Sequence, residues 1–143
     1  MKPMILLVDD EAMLREVIGD VLVKEGFVCI PCANGPDAMR LIDAGPYKFD
    51  LLLSDVKMPG AIDGLEVAER FKAKYPEGTV ILLSGYIDEK AAGSLTKDRV
   101  RVLPKPLRVQ ELLDAVKEAL ALASVMSEGS NVTPLDPNSP RSQ

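Results

Sequence analysis

Acidic residues follow two apolar stretches of this chain, and they are the first residues whose types and spacing could carry chemistry. Asp9 and Asp10 come directly after the apolar run 4–8, and Asp55 comes directly after the largely apolar run 51–54. Carboxylates held close together repel each other unless one binds a proton or a cation enters. Oxygen ligands in a chain without histidine suit Mg²⁺, which takes one or two carboxylates and keeps several waters. We therefore predict a magnesium site if the fold brings these acids together.

Two further polar residues also lie where apolar runs end. Ser84 directly follows the run 79–83, and Lys105 is separated from the run 100–103 by Pro104 alone. A hydroxyl and a cation beside a carboxylate cluster that holds Mg²⁺ would bind a phosphoryl group, whose oxygens the metal and the lysine neutralise. An aspartate can act as the nucleophile and form an aspartyl phosphate. These residue types together predict phosphoryl transfer to an aspartate of this cluster.

The elements that position these residues follow from the hydrophobic pattern, in which short apolar runs alternate with segments of helical spacing. Runs that are apolar throughout are typical of parallel strands covered on both faces, so the pattern predicts an α/β sheet with helices on either side. The five predicted strands cover residues 4–8, 27–32, 51–54, 79–83 and 100–103. Five predicted helices lie around residues 14–22, 38–42, 65–71, 89–95 and 109–120.

Two prolines indicate the strand order. Pro31 lies in the second strand and Pro104 ends the fifth, and proline is largely confined to edge strands, strand starts and bulges. The flavodoxin-like doubly wound order 2-1-3-4-5 places both strands at the edges. Ligands of such sheets bind beyond the carboxyl ends of the strands, where the winding reverses between strands one and three. Asp9, Asp10 and Asp55 are therefore expected to converge.

Composition limits the kind of protein this can be. The 143 residues, 47% hydrophobic and 27% charged, are typical of one globular domain. A net charge of −5 disfavours nucleic-acid binding. No apolar run reaches the ~18 residues that span a membrane, and the first is too short for a secretory signal, so we expect a cytoplasmic protein that does not bind membranes. The absence of histidine excludes a phosphohistidine carrier.

Towards the end of the chain the composition changes to serine, proline, asparagine and glycine. Such a segment cannot bury enough apolar surface to order itself. We therefore predict a domain over residues 1–123 and a disordered tail over residues 124–143, which is too short to be an output domain.

Cys29 and Cys32 form a C-x-x-C pair, which can be redox-active. Residues three apart in a strand face opposite sides of a sheet, which works against a disulfide. A zinc site within one chain would also lack ligands. We interpret the two cysteines as small strand residues, with a redox or metal role as the alternative.

From about residue 4 to residue 122 the chain resembles the response-regulator receiver family. The motifs that carry the resemblance are LLVDDE, LLLSDVKMPG, DGLE at 63–66, ILLSGY and LPKPL. The resemblance implies that Asp55 is the phosphoacceptor. It further implies that Asp10 and Asp55 bind Mg²⁺ with the backbone carbonyl of Lys57, and that Asp9 acts directly or through water.

By the same resemblance, Ser84 would hydrogen-bond the phosphoryl group, and Lys105 would pair with it. The Lys105–Pro106 bond is a candidate cis peptide. The aromatic residue that receivers usually carry three positions before the lysine is replaced by Val102, so Tyr86 becomes the aromatic candidate for the switch beside Ser84. The loop from residue 59 to 64 also looks about one residue longer than in the simplest members.

The resemblance implies a stand-alone response regulator, a signalling domain that catalyses only its own phosphorylation and dephosphorylation. A histidine kinase or phosphotransfer protein would donate the phosphoryl group, and an unknown output protein would recognise the altered surface of a monomer or weak homodimer. One alternative is the receiver domain of a hybrid kinase. Another is a Mg²⁺-dependent small-molecule phosphohydrolase, although the chain has neither the D-x-D pattern after its first strand nor the residues for a substrate cap.

Overall fold

Five parallel strands form one sheet in the order β2-β1-β3-β4-β5, as the prolines predicted. The computed structural model describes residues 2–85, 99–106 and 108–129 of the chain. Pro31 and Pro104 lie in the two edge strands, where a missing backbone donor costs no central ladder bond. The strands are β1 (Met4–Val8), β2 (Val28–Cys32), β3 (Leu51–Asp55), β4 (Thr79–Ser84) and β5 (Val100–Pro104).

Four helices lie within the described residues and cover the sheet on both faces. They are α1 (Ala12–Lys24), α2 (Gly35–Ala44), α3 (Gly64–Lys74) and α4 (Val109–Gly129). The helix predicted around residues 89–95 lies outside the described residues. α4 continues to Gly129 and therefore passes the predicted boundary at residue 124. The division into domain and tail otherwise stays a prediction.

The two faces of the sheet carry two separate cores because side chains alternate along each strand. The α2–α3 core contains Leu6, Leu52 and Leu82 from the central strands, and the α1–α4 core contains their neighbours Leu7 and Leu53. Each of these leucines is at most 1% exposed. Full burial of such a side chain is worth about 1.5–3 kcal/mol, so the central strands are the most strongly held part of the fold.

Helix α1 exposes one of the apolar residues that follow its helical spacing. Val17 is 47% exposed, whereas Ile18 and Leu22 are buried in the α1–α4 core. Successive helical residues are rotated by about 100°, so Val17 cannot share the face that Ile18 and Leu22 occupy.

The two strands that carry the acids are held in register by their neighbours. Val8 pairs with Cys32 on one side and with Ser54 on the other, so β1, β2 and β3 end at the same level. Ser84 pairs with Pro104 at the end of β5. The residues that follow these strands are thus brought to one edge of the sheet, the carboxyl edge. In the part of the chain that the structure describes, no helix has the length and apolar character needed to cross a membrane.

Candidate functional site

The three predicted acids converge at the carboxyl edge of the sheet. One carboxylate oxygen from each of Asp9, Asp10 and Asp55 lies within 4.8 Å of the others. Asp9 is 1% exposed and Asp55 is 3% exposed, whereas Asp10 is exposed. This arrangement follows from the pairing of β1 with β3, which places the ends of the two strands side by side. The predicted cluster is confirmed.

Asp9 is held by its backbone and by one of its two carboxylate oxygens. Its N–H donates to the carbonyl of Cys32 (3.1 Å), and its Oδ1 accepts from the N–H of Glu11 (2.8 Å). Arg15 Nη1 donates to its carbonyl oxygen (2.6 Å). Asp9 Oδ2, in contrast, is buried without a hydrogen-bond partner among the residues that the structure describes. One oxygen of a rigidly held carboxylate therefore remains available to a ligand.

Lys105 neutralises part of the charge of Asp55. Its Nζ lies 2.6 Å from Asp55 Oδ1 and forms an ion pair, although this buried oxygen accepts no well-directed hydrogen bond. The backbone N–H of Lys105 donates to the carbonyl of Ser84 (2.8 Å), which ties the lysine to the end of β4. The Lys105–Pro106 peptide is cis, as predicted. One cation thus faces two buried carboxylates.

The pKa of Asp55 is raised to about 7, chiefly by burial and also by the neighbouring carboxylate of Asp9, while Lys105 opposes the rise. Burial lowers the pKa of Lys105, but the carboxylates around it outweigh that effect and hold its pKa above the ordinary value. A cation at the cluster would favour the ionised form of Asp55. The donors are oxygens only, and the partnerless Oδ2 of Asp9 is among them, so the set fits a hard divalent cation.

The DGLE motif at residues 63–66 holds the start of α3 against the phosphoacceptor candidate. Asp63 Oδ1 accepts from the N–H of Glu66 (3.0 Å), and Glu66 Oε1 accepts from the N–H of Asp63 (3.4 Å), which is a capping box. A Cβ on Gly64 would lie 1.9 Å from the carbonyl oxygen of Asp55, so only glycine fits there. The spacing Asp-x-x-Glu before an apolar helix was a sequence signal for this role.

The remaining predicted site residues lie in different environments. Ser84 is 7% exposed at the end of β4. Lys57 is exposed in the loop after β3, where only its backbone carbonyl was assigned a role. Val102 is half-buried in β5 and packs against the α2–α3 core. Tyr86 lies outside the described residues, so its role as a switch candidate stays a prediction.

Arg15 is a site residue that sequence reasoning missed. It lies in the first turns of α1 and donates to the carbonyl of Asp9, six residues earlier in the chain. A single arginine in an amphipathic helix is ordinarily a solvated surface residue. Nothing in the local pattern therefore distinguished it.

Cys29 and Cys32 are both free thiols and lie on opposite faces of β2. Burial raises the pKa of Cys29 to about 11 and that of Cys32 to about 12, so both are protonated at neutral pH. Protonated, separated thiols are poor nucleophiles. Their interpretation as small strand residues agrees with this geometry.

Comparison with known proteins gives a consistent result. A profile of the response regulator receiver domain matches residues 5–117. The sporulation initiation phosphotransferase F of Bacillus subtilis is 34% identical over 87% of this chain and 98% of its own length. The positive alginate biosynthesis regulatory protein of Pseudomonas aeruginosa is 37% identical over 80% of this chain. The match covers only 46% of the length of that protein.

A solved structure is also similar. The response regulator receiver protein from Sinorhizobium medicae has a TM-score of 0.78 at 26% identity and aligns with 85% of this chain and 97% of its own. The strand order, the convergent acids and the profile match over most of the chain agree. This chain belongs to the response regulator receiver domain family.

Proposed function

We propose that Asp55 is the phosphoacceptor of this receiver and that its phosphorylation by a histidine kinase or phosphotransfer protein requires Mg²⁺. Receivers act in two-component signal transduction, and phosphotransferase F, by its name, transfers phosphoryl groups. The observation that carries the proposal is the position of Asp55. It is a buried carboxylate at a strand end, with Lys105 Nζ at 2.6 Å and two further carboxylates within 4.8 Å.

Mg²⁺, held by Asp10, Asp55 and the carbonyl of Lys57, with Asp9 acting directly or through water, would offset charge on the transferring oxygens. An oxygen of Asp55 attacks the phosphorus, the bond from phosphorus to the donor breaks, and an aspartyl phosphate forms.

The residues of strands β4 and β5 then stabilise the product. The ammonium of Lys105, which pairs with the carboxylate in the unmodified protein, pairs with a phosphoryl oxygen, and the hydroxyl of Ser84 donates to another. Movement of these two residues would alter the surface around β5. An output protein would recognise that surface.

A protein donor is supported by the surface of α1. The large apolar side chains that are exposed in the described residues lie mostly on this helix: Met13 is 80% exposed, Val17 47% and Val23 58%. Met13 lies in the first turn of α1, just after the acidic pair. Met13 and Val17 are four residues apart and so lie on the same side of the helix, and exposed apolar patches mark protein interaction sites. A docked donor would cover Met13 while presenting its phosphoryl group to Asp55.

The test is intact mass spectrometry after incubation with acetyl phosphate, with and without Mg²⁺, on the wild type and on Asp55→Asn. We expect one added phosphoryl group on the wild type with Mg²⁺ and none on the variant. Phosphorylation of the variant to the same extent would contradict the assignment of Asp55. Steady turnover of a generic phosphate ester by the wild type would instead favour the phosphohydrolase.

A further inference from the structure

The loop that follows β3 is anchored at several points. This β3–α3 loop (residues 56–63) carries Lys57, whose carbonyl is assigned above to the metal site. The N–H of Gly64 donates to the carbonyl of Val56 (2.8 Å) and closes the loop at its base. Met58, the next residue after Lys57, is 8% exposed and belongs to the α2–α3 core. The backbone on either side of Lys57 is therefore anchored, by a hydrogen bond at Val56 and by burial of Met58 in the core.

The far side of the loop rests on helix α2 through one close contact. Ile62 is half-buried and packs against the α2–α3 core, and it lies over Gly35 at the start of α2. A Cβ on Gly35 would lie 2.5 Å from the carbonyl oxygen of Ile62 and 2.6 Å from its Cγ2. Real Cβ atoms essentially never approach other atoms within 3.0 Å. Only glycine at position 35 lets the loop sit this close to the helix.

Of the two partners in this contact, α2 is the one that is firmly fixed. Ala38 and Ile42 bury it in the core at 0% exposure, and Asn34 Oδ1 caps it by accepting from the N–H of Asp37 (2.8 Å). Any extra volume at Gly35 would therefore move the loop rather than the helix.

We propose that Ile62, seated on Gly35, is a positioning residue that sets where the carbonyl of Lys57 stands in the metal site. The inference rests on the proposed function because that carbonyl is a ligand only if the cluster binds Mg²⁺. Ile62 is not among the proposed metal ligands. It acts through the backbone of the loop, which Met58 and the hydrogen bond from Gly64 to Val56 also hold.

The first test compares Ile62→Ala with Leu41→Ala, which removes a partly buried aliphatic side chain from the same core but from the second half of α2, away from Gly35. Both variants should lower the melting temperature by similar amounts. Only Ile62→Ala should weaken Mg²⁺ binding, measured by calorimetry with the metal alone. We expect its Kd to rise about 3–10-fold, below the 10–100-fold typical of residues that hold a ligand directly. Ile62→Val should restore most of the affinity.

A second readout needs no metal. In the protein treated with EDTA, amide hydrogen exchange over residues 56–63 should be faster in Ile62→Ala than in the wild type, and unchanged in Leu41→Ala. A role confined to general stability would raise exchange equally in both variants.

The second test displaces the loop by a substitution in α2, the other partner of the contact. Gly35→Ala should raise the Kd for Mg²⁺ and speed exchange in the β3–α3 loop as Ile62→Ala does. Gly19→Ala is the matched control, because a Cβ at this other helical glycine would meet its nearest atoms at 3.9 Å. It should bind Mg²⁺ like the wild type.

The double variant Gly35→Ala/Ile62→Ala should bind Mg²⁺ about as weakly as either single variant. Both substitutions disrupt the same contact, so their effects on the Kd should not add. Equal Mg²⁺ affinity in Ile62→Ala and Leu41→Ala, or fully additive losses in the double variant, would overturn the inference. These binding measurements use no phosphoryl donor. Failure of the wild type to accept phosphate from acetyl phosphate would therefore count against the proposed function. The Mg²⁺ affinities of the variants would still test the role of Ile62.

Discussion

The amino edge of the sheet, where the strands begin, differs from the carboxyl edge in how its polar atoms are paired. At the amino edge, the hydroxyl of Tyr75 donates to the carbonyl of Tyr47 (2.9 Å), and the N–H of Met4 donates to Asp50 Oδ2 (2.8 Å). At the carboxyl edge, Asp9 Oδ2 is buried and has no such partner among the described residues. The hydroxyl of Thr79 is an exception, since it is buried without a partner at the amino edge.

Aromatic packing accentuates the difference. The rings of Tyr47 and Phe49 are stacked with centroids 5.2 Å apart, and Phe71 lies 4.9 Å from Tyr75. These rings stabilise the fold without any ligand. The carboxyl edge instead holds carboxylates whose mutual repulsion lowers stability until a cation arrives. One edge is thus optimised for stability, whereas the other gives up stability for binding, a common trade at functional sites.

The largest expected effect lies at the amino edge. Phe71→Ala should reduce the free energy of unfolding by about 3–5 kcal/mol, because Phe71 is fully buried and its removal leaves a cavity. Urea denaturation measures the change. The Kd for Mg²⁺ of the folded variant should stay at the wild-type value. A parallel loss of Mg²⁺ affinity would show that the two edges are not energetically separate.

The next effect concerns the pH dependence that Asp55 confers on the metal-free protein. Its pKa is raised from 3.8 to about 7 in the folded state, so the folded protein binds this proton more tightly than the unfolded chain does. The stabilisation is present below about pH 4 and is lost as the pH rises through 7. Asp55→Asn should not lose stability in this pH range. At pH 8 its free energy of unfolding should exceed that of the wild type by about 1–3 kcal/mol, a range that allows for the ion pair with Lys105 that the variant lacks.

Denaturation of both proteins in EDTA at pH 5 and pH 8 measures this difference. Mg²⁺ supplies the control, since at ten times its Kd it should add about 1.4 kcal/mol to the wild type at pH 8. It should add much less to the variant. If the wild type were the more stable of the two at pH 8 without metal, the claim that the carboxyl edge lowers stability would fail.

The smallest effect is expected from a single hydrogen bond at the amino edge. Tyr75→Phe removes the donor to the carbonyl of Tyr47 and should cost about 0.5–1.5 kcal/mol. The loss should be the same at pH 5 and pH 8, and Mg²⁺ should bind as in the wild type. A loss that varied with pH would mean that the tyrosine is coupled to the titrating acids.

Much of the fold and the site could be predicted because the relevant signals are local. Apolar runs located β1, β3 and β4, and Pro31 and Pro104 favoured the strand order that the structure has. Once that order was assumed, the acids at the ends of β1 and β3 had to meet, because neighbouring parallel strands share an edge. The apolar Val17 is nevertheless exposed, because residue type does not say which side of a helix faces the core.

The sequence by itself determined which chemistry is possible, since carboxylates, a lysine and a hydroxyl at strand ends are suited to a hard cation and a phosphoryl group. Only the tertiary structure decided how these groups are supported. The donation from Arg15 to the carbonyl of Asp9 is a long side chain reaching across a turn. The contact of Ile62 with Gly35 joins two segments that are distant in the chain. Such contacts depend on how closely packed elements approach each other, to within a few tenths of an ångström, and the spacing of residue types in the sequence does not encode this.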